Sequence, residues 1–221
     1  MKRLNVRLAI ALITVCGILV SGVAYAKGKT TLYKVTITNI TRGQIFSPPI
    51  VISHNKDFKL FRLANPATPG LAELAEEGMT APLSAYLGTL DSVYMNNAAG
   101  GGIGPGESMT VEIETKRGFR HLSAAGMLIN SNDAFFAILG VYARSWTTVV
   151  VDARAYDAGT EFNSEQCAFI PGCGGGGVHD DTTDAEGYVY IHSGIHGIAE
   201  LDPAEYDWRN PVATIMVQRV K

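Results

Sequence analysis

The feature that most constrains the fold is a strict alternation of apolar and polar residues in separate stretches of the chain. Near the start, Tyr33, Val35 and Ile37 are separated by polar residues, and the same period of two recurs over 109–114 and 213–218. Successive side chains of a strand point to opposite faces of a sheet, so this pattern predicts strands with one buried face. Antiparallel sheets commonly have one face in water. We therefore expect an all-β protein with antiparallel strands.

Further strands are expected from runs that are apolar along their whole length. Three such runs, with turn residues between them, cover residues 122–129, 135–142 and 147–155. Residues 58–63 form another short extended run, and residues 212–220 close the chain as a strand. Residues 44–53 contain two consecutive prolines. Because proline cannot donate to a sheet ladder, this segment favours an edge strand or a bend over a central strand.

Helical signals are confined to a short insertion near residues 69–87. Residues 69–78 begin with Pro and end with Gly, the usual residues at the start and end of a helix. Leu71 and Leu74 lie on one face of this helix. A second helical turn is expected over residues 82–87.

Residues 1–26 have the three-part order of a secretory signal peptide. Basic residues come first, an apolar run over 8–20 follows, and Ala24 and Ala26 form a small-x-small cleavage site. An uncleaved membrane anchor is the alternative. We expect export to the periplasm or the extracellular space, with residues 27–221 as one mature domain.

The charge balance disfavours a nucleic-acid partner. The full chain carries a net charge of −3, and removal of Lys2, Arg3 and Arg7 with the leader makes the mature chain −6. Phosphate backbones require a basic face on the protein. Hydrophobic residues make up 47% of the chain and charged residues 18%, as in an ordinary globular protein.

Three acidic residues lie where predicted strands begin or end. Asp133 directly precedes one apolar run, and Asp157 and Glu161 follow another. On an antiparallel sheet these ends can lie side by side, and converging carboxylates suit calcium, which takes about 6–8 oxygen ligands. The alternative is that these acids only form turns, as Asp often does.

Four segments carry a resemblance to a known family. Residues 131–136 (SNDAFF) and 156–161 (YDAGTE) resemble the two calcium-binding segments of the spondin domain, the N-terminal module of F-spondin-like matrix proteins. Residues 33–39 and 207–213 support the likeness, which spans about residues 32–221. The tetrapeptide Asp-Ala-Gly-Thr followed by an acid is the most specific piece. The animal proteins have Asp where this chain has Glu161.

The resemblance implies a fold, a ligand and a role. It implies an antiparallel β-sandwich similar to C2 domains, with Asp133, Asp157 and Glu161 as ligands of Ca²⁺. The expected function is a secreted, non-enzymatic module for extracellular binding or adhesion, whose partner is an extracellular protein or glycan. A C2-like fold can also bind membrane surfaces, but the negative charge disfavours this unless calcium bridges to anionic lipid.

Cys167 and Cys173 are the two cysteines of the predicted mature chain. In an oxidising compartment two such cysteines are expected to form a disulfide. A metal site with two thiolates is the alternative, since His179 is near in sequence, but the glycines between give no fixed geometry. The disulfide is the favoured interpretation.

The second function hypothesis is an exported metal- or carboxylate-dependent hydrolase that uses the His/Asp-rich C-terminal loops, and an Asp/Glu pair for glycoside hydrolysis is one form of it. His179, His192 and His196 would act there as a base or as metal ligands, with residues 179–184 as a second oxygen-rich loop. The sequence contains neither a nucleophile elbow nor a His-Glu-x-x-His motif. Glycines near His192 and His196 also argue against a helical metal pair, so we predict structural roles for these histidines.

Overall fold

The computed structural model describes residues 29–175 and 184–220. The predicted leader over 1–26 and His179 lie outside these residues. The described strands are β1 (Thr30–Asn39), β2 (Ile50–His54), β3 (Val93–Ala98), β4 (Ser108–Lys116), β5 (His121–Met127), β6 (Ala134–Tyr142), β7 (Val149–Asp157), β8 (Tyr190–Ile191) and β9 (Ala213–Arg219). The α-helices are α1 (Pro69–Glu77), α2 (Thr80–Leu87) and α3 (Pro203–Tyr206), and two 3₁₀ turns cover Cys167–Phe169 and Pro171–Cys173.

All strand pairs are antiparallel, in the order β3-β2-β5-β6-β7-β9-β1-β4, with β8 paired to β7. Strand β7 belongs to both halves of this path: residues 149–153 pair with β9, and residues 154–157 pair with β6. The two ends of the path also meet, because Asn97 on β3 donates a hydrogen bond to the carbonyl of Glu112 on β4 (2.7 Å). The nearly closed antiparallel sheet confirms the predicted all-β fold.

Two apolar cores explain why some strands alternate and others are apolar throughout. The first core lies inside the sheet and takes one face of every long strand, for example Val35, Val51 and Phe136. The second lies between α1, α2 and the outer face of β2, β5 and β6, and includes Ile52 and Phe135. Because the helices cover that outer face, β2 is buried along its whole length. The predicted helical insertion therefore completes the fold as a third layer.

Two expectations for the first hundred residues were wrong, and one strand was missed. Strand β2 is central, because it pairs with both β3 and β5. Its two prolines precede Ile50 and so remove no donor from the ladder. Residues 58–63 form no strand; Phe58 and Phe61 pack instead into the second core. Strand β3 carries Asn and Met rather than a β-branched run, so its sequence gave little sign of it.

The strand directions place the loops at two opposite ends of the molecule. One end, called here the carboxylate end, contains the start of β6 and the end of β7, and with them Asp133 and Asp157. The other, called the basic end, contains the start of β1, the β4–β5 turn and the β6–β7 loop. In the described ranges, no helix has the length and apolar character needed to cross a membrane.

Candidate functional site

Pairing of β6 with β7 brings the first two predicted acids together. Ala134 lies opposite Asp157 in the ladder, so Asp133 is one position beyond the pair. The N–H of Ala158 donates to the carbonyl of Asp133 (3.2 Å) and extends the ladder by one bond. Both acidic side chains are fully buried. The sheet register itself thus places two carboxyl groups side by side at the carboxylate end.

Backbone N–H groups hold one oxygen of the Asp133 carboxyl group. Its Oδ2 accepts hydrogen bonds from the backbone N–H of Thr160 (2.8 Å), from the Thr160 hydroxyl (3.3 Å) and from the N–H of Glu161 (3.2 Å). Its Oδ1 is buried and has no hydrogen-bond partner among the described residues. A buried polar oxygen without a partner is costly and needs an explanation.

Asp157 holds the turn that leads to Glu161. Its Oδ1 accepts a hydrogen bond from the N–H of Gly159 (2.7 Å), and its Oδ2 accepts one from Asn163 Nδ2 (2.7 Å). Gly159 has a φ of 66°, and a side chain there would meet the backbone of Tyr188. Glycine is therefore required, which gives a physical reason for the Gly in the Asp-Ala-Gly-Thr segment.

Burial makes Asp133 and Asp157 hard to ionise. Burial is the main cause that raises the pKa of Asp133 well above its ordinary value, and the charge of Asp157 raises it further. The N–H groups of Thr160 and Glu161 oppose this rise, and the Glu161 charge adds a smaller increase. Burial also raises the pKa of Asp157. Asp157 and Glu161 are thus both close enough to act on Asp133, and Glu161 is buried as well.

Sequence reasoning missed the polar residues that surround Asp157. Asn163 donates to Asp157 and also to the hydroxyl of Tyr190 (3.1 Å), which in turn donates to Glu186 (2.8 Å). The Asn163 amide oxygen lies 3.1 Å from Nε2 of His192. The only sequence signal for Asn163 is its position two residues after Glu161.

His192 is buried beside this cluster and has both ring nitrogens engaged. Its Nδ1 accepts a hydrogen bond from the N–H of Gly194 (2.9 Å), so Nε2 carries the proton and donates to Asn163. Burial lowers the pKa of His192 to about 4, so the ring is neutral at pH 7. The predicted structural role of His192 agrees with these contacts, although one partner is a side chain.

Glu165 was also not identified from the sequence, and it links the loop over residues 196–198 to the segment that precedes β6. Its buried carboxylate accepts hydrogen bonds from the N–H groups of His196 (2.6 Å), Gly197 (2.7 Å) and Ile198 (2.9 Å). Its own N–H donates to Asn132 Oδ1 (3.2 Å), next to Asp133. Glu165 has a φ of 56°, a conformation that is uncommon for a residue with a side chain. The sequence showed no pattern that singles it out.

The remaining predicted residues lie outside the cluster. The side chain of His196 is exposed, and only its backbone N–H contacts Glu165. Cys167 and Cys173 are bonded to each other, as predicted. The disulfide-bonded segment packs on the carboxylate end, where the N–H of Gly172 donates to the carbonyl of Ile129 (3.0 Å).

The donor set at the carboxylate end fits a hard cation. The adjacent carboxyl groups of Asp133 and Asp157, including the buried Oδ1 of Asp133, are oxygen donors of the kind that calcium prefers. Among residues 29–175 and 184–220, no three His, Cys, Asp or Glu side chains form a ready metal-binding group. An ion held by Asp133 and Asp157 would therefore also need amide, carbonyl or water oxygens, which calcium sites commonly include.

Comparison with known families gives one match. The Spondin_N family model matches residues 36–167, which is more than half of the chain. The matched region contains Asp133, Asp157 and Glu161 and ends before His192. No curated protein matches the chain.

Proposed function

Because the chain belongs to the spondin N-terminal domain family, a family of extracellular, β-rich and non-enzymatic modules, we propose that it is a secreted calcium-binding module for extracellular binding or adhesion. The observation that supports calcium most directly is the buried Asp133 carboxyl group, whose Oδ1 has no hydrogen-bond partner within the described chain. It lies beside a second buried carboxyl group, Asp157.

The proposed ion would have a structural effect on the carboxylate end. Asp133 and Asp157 would hold it, with Glu161 as the third acidic ligand. A divalent cation reverses the sign of the interaction between these acids, because each carboxylate is then attracted to the ion more strongly than it is repelled by its neighbour. The ion would thus link the loop before β6 to the loop after β7. The loops so fixed would form the surface that meets an extracellular protein or glycan.

The surroundings of the histidines also support a binding role over hydrolysis. His192 is 5% exposed and has both nitrogens engaged, so it has no free atom to offer a substrate. His196 is exposed and has no described carboxylate hydrogen-bonded to its ring. A general base needs hydrogen-bond reach to the proton that it removes. Neither residue has the surroundings of such a base.

We also propose that residues 1–26 direct export and are removed. The charged, apolar and small-residue order of this segment supports cleavage after Ala26. The intact mass of the exported protein tests this proposal. A mass that starts at Lys27 is expected, whereas a retained leader or an attached lipid would contradict it.

Thermal unfolding with and without calcium tests the main proposal. With a site of about 10⁻⁴ M affinity and 1 mM calcium, the free energy of unfolding should rise by about 1.4 kcal/mol. This corresponds to a melting temperature higher by about 2–5 °C than in chelator. Magnesium should stabilise less, because it demands octahedral geometry and loses water reluctantly. Equal melting in calcium and in chelator, with no metal in the purified protein, would refute calcium binding.

A further inference from the structure

A cavity lined by four cationic side chains lies at the basic end of the sheet. It has a volume of about 560 Å³, and its lining includes Lys29, Arg117, Arg120 and Arg219. These residues come from the start of β1, the β4–β5 turn and the end of β9. Four positive charges from segments far apart in the sequence thus line one cavity.

No described carboxylate neutralises these cations. The ion pairs found between described residues are Lys34–Glu112 and Arg209–Asp207, and neither includes a cation of this cavity. Arg120 instead hydrogen-bonds to Tyr142, which raises the pKa of Arg120. The mature chain is acidic as a whole. The cluster is therefore a local feature and does not follow from general basicity.

The cavity continues into two neighbouring hollows. One, of about 470 Å³, shares Ser145 and Arg219 with it and adds Trp146. The other, of about 370 Å³, shares Arg120 and Tyr142 and adds Lys56 together with the acidic Asp57. Because neighbouring hollows share lining residues, the three form one row, called here the basic groove. A row of this kind suits an extended ligand better than a single small anion.

Two aromatic rings are exposed along the basic groove. Trp146 is 81% exposed and Tyr142 is 45% exposed. Large exposed aromatic residues are costly for solubility unless they serve binding. Their flat faces can stack on the apolar faces of sugar rings, while arginine forks bind carboxylate, sulfate or phosphate groups with two hydrogen bonds.

We propose that the basic groove binds an acidic polysaccharide, with Arg117, Arg120 and Arg219 on the anionic groups and Trp146 against a sugar ring. The inference rests on the proposed role as a binding module, but it uses the end of the molecule opposite to Asp133 and does not require calcium. An acidic polysaccharide carries anionic groups at regular intervals, and these groups can contact the cations spaced along the basic groove. A flat lipid surface would contact protruding residues rather than the walls of a groove.

Binding to dextran sulfate, with uncharged dextran as the matched polymer, tests this proposal. The mature protein is titrated once in chelator and once in 1 mM calcium. Dextran sulfate should bind under both conditions, so a failure of the calcium proposal would not affect this result. The Arg117→Gln/Arg120→Gln double variant should weaken binding at least tenfold and lower the slope of log Kd against log salt by about two. Arg42→Gln, an exposed arginine outside the basic groove, is the control and should bind as the wild type does.

Trp146→Ala distinguishes sugar stacking from charge alone. This variant should weaken binding to dextran sulfate severalfold without changing the salt dependence, because it removes no charge. Equal binding of dextran and dextran sulfate, or a double variant that binds as tightly as the wild type, would overturn the proposal. So would inorganic polyphosphate or anionic phospholipid vesicles that bind more tightly than dextran sulfate and are indifferent to Trp146→Ala.

Discussion

The carboxyl group of Asp133 accepts a hydrogen bond from the backbone N–H of Thr160, 27 residues further along the chain (2.8 Å). This bond joins the loop before β6 to the loop after β7 without any help from a metal. It uses only Oδ2, so the other oxygen of Asp133 stays available. The two loops are therefore held in place before an ion binds, and binding needs little further ordering.

Replacing Asp133 by Asn should abolish the calcium response without unfolding the protein. The amide oxygen of Asn can still accept the N–H groups of Thr160 and Glu161, but the side chain can no longer ionise to bind a cation. In chelator the variant should melt no lower than the wild type, because the repulsion with Asp157 is removed. Melting curves with and without calcium measure both effects. Asp152→Asn, on the exposed face of β7, is the control and should keep the full calcium response.

Glu161→Asp tests which acid the third position requires. The family resemblance places Asp there, so the variant should still respond to calcium, with an affinity within about tenfold of the wild type. Glu161→Gln should reduce the affinity further, since it removes a charge that acts on Asp133. Calorimetric calcium titrations give both affinities. If Glu161→Gln binds calcium as the wild type does, Glu161 is not a ligand.

Glu165→Gln should destabilise the protein whether or not calcium is present. The amide can accept fewer of the three N–H groups of the 196–198 loop, and hydrogen bonds to a charged acceptor are the stronger ones. We expect a loss of about 2 kcal/mol in urea unfolding at pH 7. Glu205→Gln changes an exposed acid and should be nearly neutral. A Glu165→Gln variant as stable as this control would show that water replaces the lost bonds.

His54 should make the fold less stable at mildly acidic pH. Burial lowers its pKa to about 4, with smaller contributions from the charges of His121 and Lys59. The unfolded state therefore binds a proton below about pH 6.5 while the folded state does not, and stability falls as the pH drops from about 6.5 to 4. The loss attributable to His54 is at most about 3 kcal/mol.

Urea unfolding at pH 7 and pH 5 measures this loss. His54→Gln should flatten part of the pH dependence. The remaining part includes a contribution of the same sign from His192, whose pKa is also lowered to about 4, and contributions of opposite sign from Asp133 and Asp157, whose pKa values are raised. A pH dependence that is the same in His54→Gln and in the wild type would contradict the assignment. His54 also bonds to the Ser123 hydroxyl (2.9 Å), so the comparison uses the slope and not the absolute stability.

The sequence predicted best where one local rule decides the outcome. Period-two alternation located β1, β4 and β9, and the Pro and Gly at the ends of residues 69–78 located α1. The sequence did not predict that β2 is a central, fully buried strand, because the burial of both its faces depends on helices that follow it in the chain. The convergence of Asp133 and Asp157 followed from strand order, whereas Asn163 and Glu165 depend on the path of a loop. No periodicity encodes such a path.

The pairing of β1 with β9 has a consequence for how this module is attached to anything else. Tyr33 lies opposite Arg219, and the N–H of Val220 donates to the carbonyl of Leu32 (2.9 Å), so both ends of the described chain emerge together. They emerge at the basic end, beside Lys29. A tag or a fused domain at either end of the described chain would crowd the basic groove and leave the carboxylate end unobstructed. Purification handles are therefore better placed in a loop, or cleaved, before glycan binding is measured.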